Sequence, residues 1–140
     1  MTYLKSVQFV DRLDEAFVLR LAVDDTYILA DIFWRESAIG YVKLTVRNSE
    51  ATLGDILIRE CPITFQTPIL WLVHRLRIRS FRARGIGTKA LEIVLATARD
   101  RGIRRVTGTM DSADATRLAR WYRSLGFDVC EKTNTITKIL

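Results

Sequence analysis

The chain has 140 residues, of which 49% are hydrophobic and 27% charged, a balance typical of a folded globular protein rather than a disordered one. This length predicts one domain over residues 1–140. No apolar run reaches the roughly 20 residues that span a bilayer, and charges interrupt the N-terminal segment where a signal peptide needs an apolar core. We therefore expect a cytoplasmic protein without a membrane partner.

The net charge is +6, and the arginines concentrate in two clusters. The clusters consist of Arg75, Arg77, Arg79, Arg82 and Arg84, and of Arg99, Arg101, Arg104 and Arg105. Three interpretations are open: a solvated surface, attraction of a phosphate-rich cofactor, or contact with nucleic acid. Cys61 and Cys130 are too few and too irregularly spaced for a disulfide framework or a metal site, so no metal is expected.

The first half of the chain is predicted to consist of strands joined by turns. Apolar alternation or apolar runs predict strands over residues 17–23, 27–34, 42–46, 53–58 and 69–78. Asp24-Asp25 and Asn48-Ser49 are typical of tight turns. Residues 11–40 show no helical period beyond one turn at most, at residues 11–16.

The second half is predicted to alternate helices with strands. The first helix would bury one face, made of Ala90, Leu91, Val94, Leu95 and Ala98, and would end at Gly102. The second would bury Ala115, Leu118, Ala119, Tyr122 and Leu125, and would stop at Gly126. Further strands are predicted at residues 106–110, 127–131 and 135–140. Strands first and interleaved helices afterwards indicate an α+β protein with a mixed sheet.

Residues 82–87, with the sequence RARGIG, lie between the predicted strand 69–78 and the first predicted helix. A glycine-bearing turn at a helix N-terminus leaves backbone N–H groups without intrachain partners at the positive end of the helix dipole. Such a turn is suited to a pyrophosphate, and Arg82 and Arg84 add positive charge. Its spacing matches neither the lysine-bearing nucleotide loop nor the dinucleotide glycine fingerprint.

The same turn resembles the signature of the GNAT acyltransferases, which reads Arg or Gln, two residues, Gly, one residue, then Gly or Ala. Residues 120–127, RWYRSLGF, are similar to the closing element of that family, in which a tyrosine-bearing helix ends in Gly-Phe. The resemblance extends over residues 70–140, and the preceding half matches only loosely. The matching positions are Arg82, Gly85, Gly87, Tyr122, Gly126 and Phe127.

The resemblance implies the acyl-CoA N-acyltransferase fold, a mostly antiparallel mixed sheet with helices on both faces. It also implies acetyl-CoA as the acyl donor, bound in a cleft between splayed strands. The pyrophosphate would contact Arg82, Ala83, Arg84, Gly85, Ile86, Gly87 and Thr88, and the pantetheine arm the backbone of Leu76, Arg77 and Ile78. Family members usually place two helices after their first strand. Since no such pattern occurs here, we expect an acceptor side that is open, built from strands, or supplied by the second subunit of a homodimer.

Acyl transfer from a thioester to an amine requires a proton donor for the thiolate and a proton acceptor for the amine. By resemblance Tyr122 is the candidate acid, and the alternative is a core tyrosine with a locally satisfied hydroxyl. The family often places a carboxylate, which acts as the base, on the strand before the anion turn. This chain has His74 there, its only histidine, and His74 is the candidate base. Asp55, Glu60 and an ordered water are alternative bases. Ala115 replaces a frequent asparagine, and the neighbouring Asp114 is interpreted as structural.

The function implied by the resemblance is N-acetylation of a primary amine on a small molecule or a peptide. Two alternatives stay open. One is a GNAT module that binds acyl-CoA without turnover, which the missing carboxylate favours. The other is a member that acts on RNA-linked or protein amines through a basic face, which the arginine clusters favour.

Overall fold

The computed structural model describes residues 5–11, 14–58 and 85–140. Of Asp55 only the backbone is described. Several predicted features lie outside these residues: the strand at 69–78, the first arginine cluster, and Cys61 and Glu60. Outside them too lie the predicted site residues His74, Leu76, Arg77, Ile78, Arg82, Ala83 and Arg84.

The described residues form eight strands and two α-helices. In chain order they are β1 (Lys5–Val10), β2 (Ala16–Val23), β3 (Tyr27–Trp34), β4 (Ser37–Arg47), β5 (Glu50–Ile58), α1 (Ile86–Asp100), β6 (Arg105–Thr109), a 3₁₀ turn (Ser112–Asp114), α2 (Ala115–Ser124), β7 (Asp128–Cys130) and β8 (Thr135–Ile139). No helix within the described ranges has the length and apolar character needed to cross a membrane.

The strands form one mixed sheet in the order β1-β2-β3-β4-β5-β6-β8-β7. β5 and β6 pair in parallel, and the other neighbouring strands are antiparallel. The mostly antiparallel α+β architecture expected from the sequence is therefore confirmed. The predicted reversal at Asn48-Ser49 joins β4 to β5, and Asn48 has a φ of 57°, a left-handed conformation that asparagine tolerates better than most residues.

The connection between β1 and β2 confirms that the family's N-terminal helices are reduced in this chain. The Asp11 amide donates to the Glu15 carbonyl oxygen over 3.0 Å, and the Glu15 amide donates to Asp11 Oδ1 over 2.9 Å. Among the described residues from β1 to β5 there is no helix. β1 itself was not predicted, although it pairs with β2 along its whole length and stacks Phe9 on Phe17.

The core lies between the sheet and α1. The predicted helical face is buried in full, and it packs in one cluster with Ile28, Ile32, Val42 and Leu44 of the central strands. Each fully buried aliphatic side chain of this kind contributes about 1.5–3 kcal/mol relative to an exposed one. In the second helix only Ala119 and Tyr122 are buried, because α2 packs beside the short strand β7 at the end of the sheet.

Two glycines shape the end of the sheet at which the site lies. The pairing of β4 with β5 shifts between Lys43 and Leu44, which leaves Gly54 as an extra residue in β5. A bulge of this kind bends its strand and increases the local twist. Gly40 faces the same stretch of β5, and a Cβ there would overlap the Leu57 carbonyl oxygen. Only glycine therefore allows the two backbones to approach this closely.

Candidate functional site

Five of the predicted site residues lie in the described structure: Gly85, Ile86, Gly87 and Thr88 at the start of α1, and Tyr122 in α2. Their neighbours are the end of β5 and the residue that precedes Tyr122. The geometry of these elements defines the candidate site.

The first turn of α1, residues 86–88, follows a glycine in a left-handed conformation. Gly85 has φ 80° and ψ 4°, and α1 has neither a side-chain cap nor an acidic residue in its first turn. The first intrahelical hydrogen bond within the described residues runs from the Lys89 amide to the Gly85 carbonyl oxygen over 3.0 Å. The amides of residues 86–88 therefore have no intrahelical acceptor and lie at the positive end of the helix dipole. This arrangement suits an anion.

The pairing of β5 with β6 ends partway along β5. Parallel register runs from Glu50 opposite Arg105 to Leu53 opposite Gly108, and the bulge at Gly54 follows directly. From there to Leu57, β5 continues to pair with β4, and no described strand pairs with its other edge. Within the described residues, the parallel pairing of β5 with β6 thus ends at Gly54.

Three elements meet at Gly87. A Cβ built on this glycine would lie 3.7 Å from Ile58 Cγ1 and 3.7 Å from Trp121 Cζ2, which brings α1, the end of β5 and α2 together. The indole Nε1 of Trp121 donates a hydrogen bond to Thr88 Oγ1 over 2.8 Å. The first turn of α1 is therefore held from one side by a strand and from the other by the helix that carries Tyr122.

Tyr122 is buried, with 6% of its surface exposed. Its ring centroid lies 4.8 Å from that of Trp121 and 5.3 Å from that of Phe127. Burial raises the pKa of the Tyr122 hydroxyl, because desolvation disfavours the phenolate. No described residue forms a hydrogen bond with this hydroxyl, so the described part of the chain lacks the local partner that a purely structural tyrosine would have.

The other predicted residues divide into those that the structure places and those that it does not describe. The backbone of Asp55 lies in β5 opposite Lys43. Asp114 forms an exposed ion pair with Arg117 at 3.5 Å, which supports a structural role. In the second arginine cluster, Arg105 pairs with Glu50 and all four side chains are exposed. Cys130 is free and exposed, and the described residues contain no cluster that could hold a metal.

Sequence reasoning missed Trp121, Ile58 and Gly54. Trp121 stands directly before Tyr122, but nothing in the sequence marks Thr88 as its partner, 33 residues earlier. Gly54 lies inside an otherwise apolar strand, a position where an isolated glycine often marks a bulge. That signal could have identified the point at which β5 and β6 separate.

The sequence profile described as the acetyltransferase (GNAT) family matches residues 3–127 of this chain. Among curated protein sequences, none matches significantly. Several solved structures share the fold. The GNAT domain of S. lividans PAT superposes with a TM-score of 0.69 at 13% identity, covering 96% of this chain and 97% of that one.

Two other solved structures are longer than this chain. PaiA N-acetyltransferase from Thermoplasma acidophilum, in complex with coenzyme A, has a TM-score of 0.59 at 14% identity, and the match covers 82% of this chain but only 62% of PaiA. For the ribosomal-protein-S18-alanine N-acetyltransferase from Escherichia coli the TM-score is 0.56 at 18% identity, with 84% and 70% covered. At these identities the similarity shows the fold alone.

Proposed function

Since the chain belongs to the acetyltransferase (GNAT) family, we propose that it is an N-acetyltransferase which transfers an acetyl group from acetyl-CoA to a primary amine of a small molecule or a peptide. One observation carries the proposal. The first turn of α1, which no described side chain caps, lies against the end of β5 and against the helix that bears Tyr122. A site for an anion and a buried proton donor therefore lie on neighbouring elements.

The pyrophosphate of acetyl-CoA would bind to the amides of residues 86–88, which need an acceptor. Gly85 keeps a side chain away from the approaching phosphates, and Gly87 leaves room for the first turn between Ile58 and Trp121. Arg82, Ala83 and Arg84 complete the predicted anion turn. The pantetheine arm would pair with the backbone of Leu76, Arg77 and Ile78.

In the reaction the amine nitrogen attacks the thioester carbonyl carbon, a C–N bond forms and the C–S bond breaks. Tyr122 would donate its proton to the departing sulfur, whose conjugate acid has a pKa of about 8.5. Because burial raises the pKa of Tyr122, its hydroxyl is fully protonated at neutral pH. The amine, with a pKa of about 10.4, must lose a proton to a base. His74 is the proposed base, and Asp55, Glu60 or a water are the alternatives.

Gly87→Val tests the binding site, and Gly87→Ala is its matched control. Gly87 lies in the helix and is not among the glycines with positive φ, and an added Cβ would make ordinary contacts with Ile58 and Trp121 at 3.7 Å. Because the family signature accepts alanine at this position, Gly87→Ala should bind CoA as tightly as wild type. The two further carbons of valine would overlap these neighbours and displace the first turn. We therefore expect Gly87→Val to lower CoA affinity roughly tenfold, about 1.4 kcal/mol, measured by calorimetric titration beside a thermal melt.

A folded Gly87→Val protein that binds CoA as tightly as wild type would contradict the assignment of the first turn as the phosphate site. The alanine control keeps the position and the helix while adding only a Cβ that makes ordinary contacts at 3.7 Å. An equal loss of CoA affinity in Gly87→Ala and Gly87→Val would show that the space between Ile58 and Trp121 does not decide binding.

The alternative of a binding module without turnover predicts CoA binding but no acetyl transfer. Release of free thiol from acetyl-CoA in the presence of a panel of alkylamines separates the two. The exposed arginines at positions 99, 101, 104 and 105 support the alternative of an RNA-linked or protein acceptor. In that case binding of RNA would weaken steeply with salt, because phosphate contacts release counterions.

A further inference from the structure

The hydrogen bond between Trp121 and Thr88 has a chemical consequence for the first turn of α1. An indole N–H can only donate, whereas a threonine hydroxyl has one hydrogen and two lone pairs. Trp121 Nε1 donates to Thr88 Oγ1 over 2.8 Å, so one lone pair of this hydroxyl is occupied. The hydroxyl hydrogen is therefore directed away from the indole.

A second threonine in the same helix shows the usual alternative. Thr97 Oγ1 donates to the carbonyl oxygen of Ile93, one turn earlier, over 2.9 Å. A hydroxyl bonded in this way donates its hydrogen to a backbone carbonyl oxygen of its own helix. Thr88 donates to none of the described residues. Within the described structure its hydrogen therefore has no acceptor, and it lies at the same end of α1 as the three amides that lack an intrahelical acceptor.

We propose that Trp121 is a positioning residue for the phosphate site: its indole N–H holds the Thr88 hydroxyl as a hydrogen-bond donor toward a phosphate oxygen of CoA. This inference rests on the proposed function. The ring of Trp121 also fills the space beside Gly87 and packs on Tyr122. One side chain thereby sets the position of the first turn relative to the helix that carries the candidate acid.

The experiment measures CoA affinity by calorimetry in Trp121→Phe, Thr88→Val and the combined variant. Each single substitution removes the hydrogen bond: Thr88→Val keeps the shape of the side chain, and Trp121→Phe keeps an aromatic ring of smaller size. Each should weaken CoA binding roughly tenfold, the size expected for one charge-assisted hydrogen bond. Both substitutions remove the same hydrogen bond between Trp121 and Thr88. The combined variant should therefore have the same CoA affinity as the single variant that binds CoA less tightly. Thr88→Val keeps the test decisive if Trp121→Phe does not fold.

Trp34→Phe is the matched control. The indole Nε1 of Trp34 donates to Glu15 Oε1, and Trp34 is 6% exposed, so the substitution removes a hydrogen bond of the same donor type at the end of β3. It should lower the melting temperature and leave CoA affinity unchanged. A folded Trp121→Phe protein with wild-type CoA affinity would overturn the inference, as would losses that multiply in the combined variant. Failure of the wild-type protein to bind CoA would instead overturn the proposed function.

Discussion

Both ends of α1 have a glycine in a left-handed conformation, but the two ends differ in whether their backbone groups are hydrogen-bonded within the helix. At the C-terminal end, where Gly102 has a φ of 85°, the amides of residues 101–103 donate to carbonyl oxygens of the last turn over 3.0–3.1 Å. At the N-terminal end, where Gly85 has a φ of 80°, none of the described side chains caps the helix. Among the described residues, the same local signal therefore closes one end and leaves the amides of the other without an intrahelical partner.

The start of α2 shows that the difference is not a general feature of helix starts in this chain. There the Asp111 carboxylate accepts from the Ala113 amide over 3.0 Å at the start of the 3₁₀ turn that leads into α2, and Asp114 is the N-cap residue of α2 itself. Two negative charges thus lie at this end, so an anion would be repelled. Only the start of α1 combines free amides with the absence of acidic residues, within the part of the chain that the structure describes.

The largest expected effect is on turnover. It separates α1, which we propose binds CoA through backbone amides, from α2, which we propose acts through the Tyr122 side chain. Tyr122→Phe removes the proton donor from α2 but keeps the ring and its packing on Trp121 and Phe127. If Tyr122 is the general acid, turnover should fall roughly 100-fold or more while CoA affinity stays at the wild-type value. A thiol-release assay and calorimetry measure both quantities. Turnover within about twofold of wild type would show that solvent protonates the thiolate.

An intermediate effect compares the two left-handed glycines directly. Gly85→Ala and Gly102→Ala both force a side chain into a positive-φ conformation, so each should lose about 1 kcal/mol of stability. A Cβ on Gly102 would meet nothing within 4 Å, which makes it a clean reference for backbone strain. Only Gly85→Ala should also lower CoA affinity, by roughly tenfold. Equal CoA affinity in the two variants would contradict the claim that only the N-terminal end of α1 takes part in CoA binding.

The smallest effect concerns stability at high pH. Burial raises the pKa of Tyr122 in the folded protein above that in the unfolded chain. The neutral hydroxyl therefore stabilises the fold fully below about pH 10, and this contribution is lost as the pH rises toward the folded pKa. Above about pH 10 the melting temperature of wild type should fall more steeply than that of Tyr122→Phe. Parallel curves would mean that Tyr122 is solvated in the folded state.

Much of the fold could be read from local patterns. The helical period of residues 90–98 places their side chains on one face whatever the helix packs against, and Gly102 and Gly126 both adopt the left-handed conformation expected of helix stops. The family motifs likewise concern short segments, and the profile match over residues 3–127 confirms the family that they indicated. The predicted site residues, at positions 74, 76–78, 82–88 and 122, all stay predictions.

Other features were decided only by tertiary structure, because they join segments distant in the sequence. The parallel pairing of Leu53 with Gly108, its end at the Gly54 bulge and the missed strand β1 depend on which strands become neighbours. The burial of Tyr122 and the hydrogen bond from Trp121 to Thr88 arise because α2 packs against the first turn of α1. Periodicity and motif spacing indicate which helix or strand a residue belongs to. The direction in which the Thr88 hydroxyl donates depends instead on Trp121, a neighbour that only folding brings into contact.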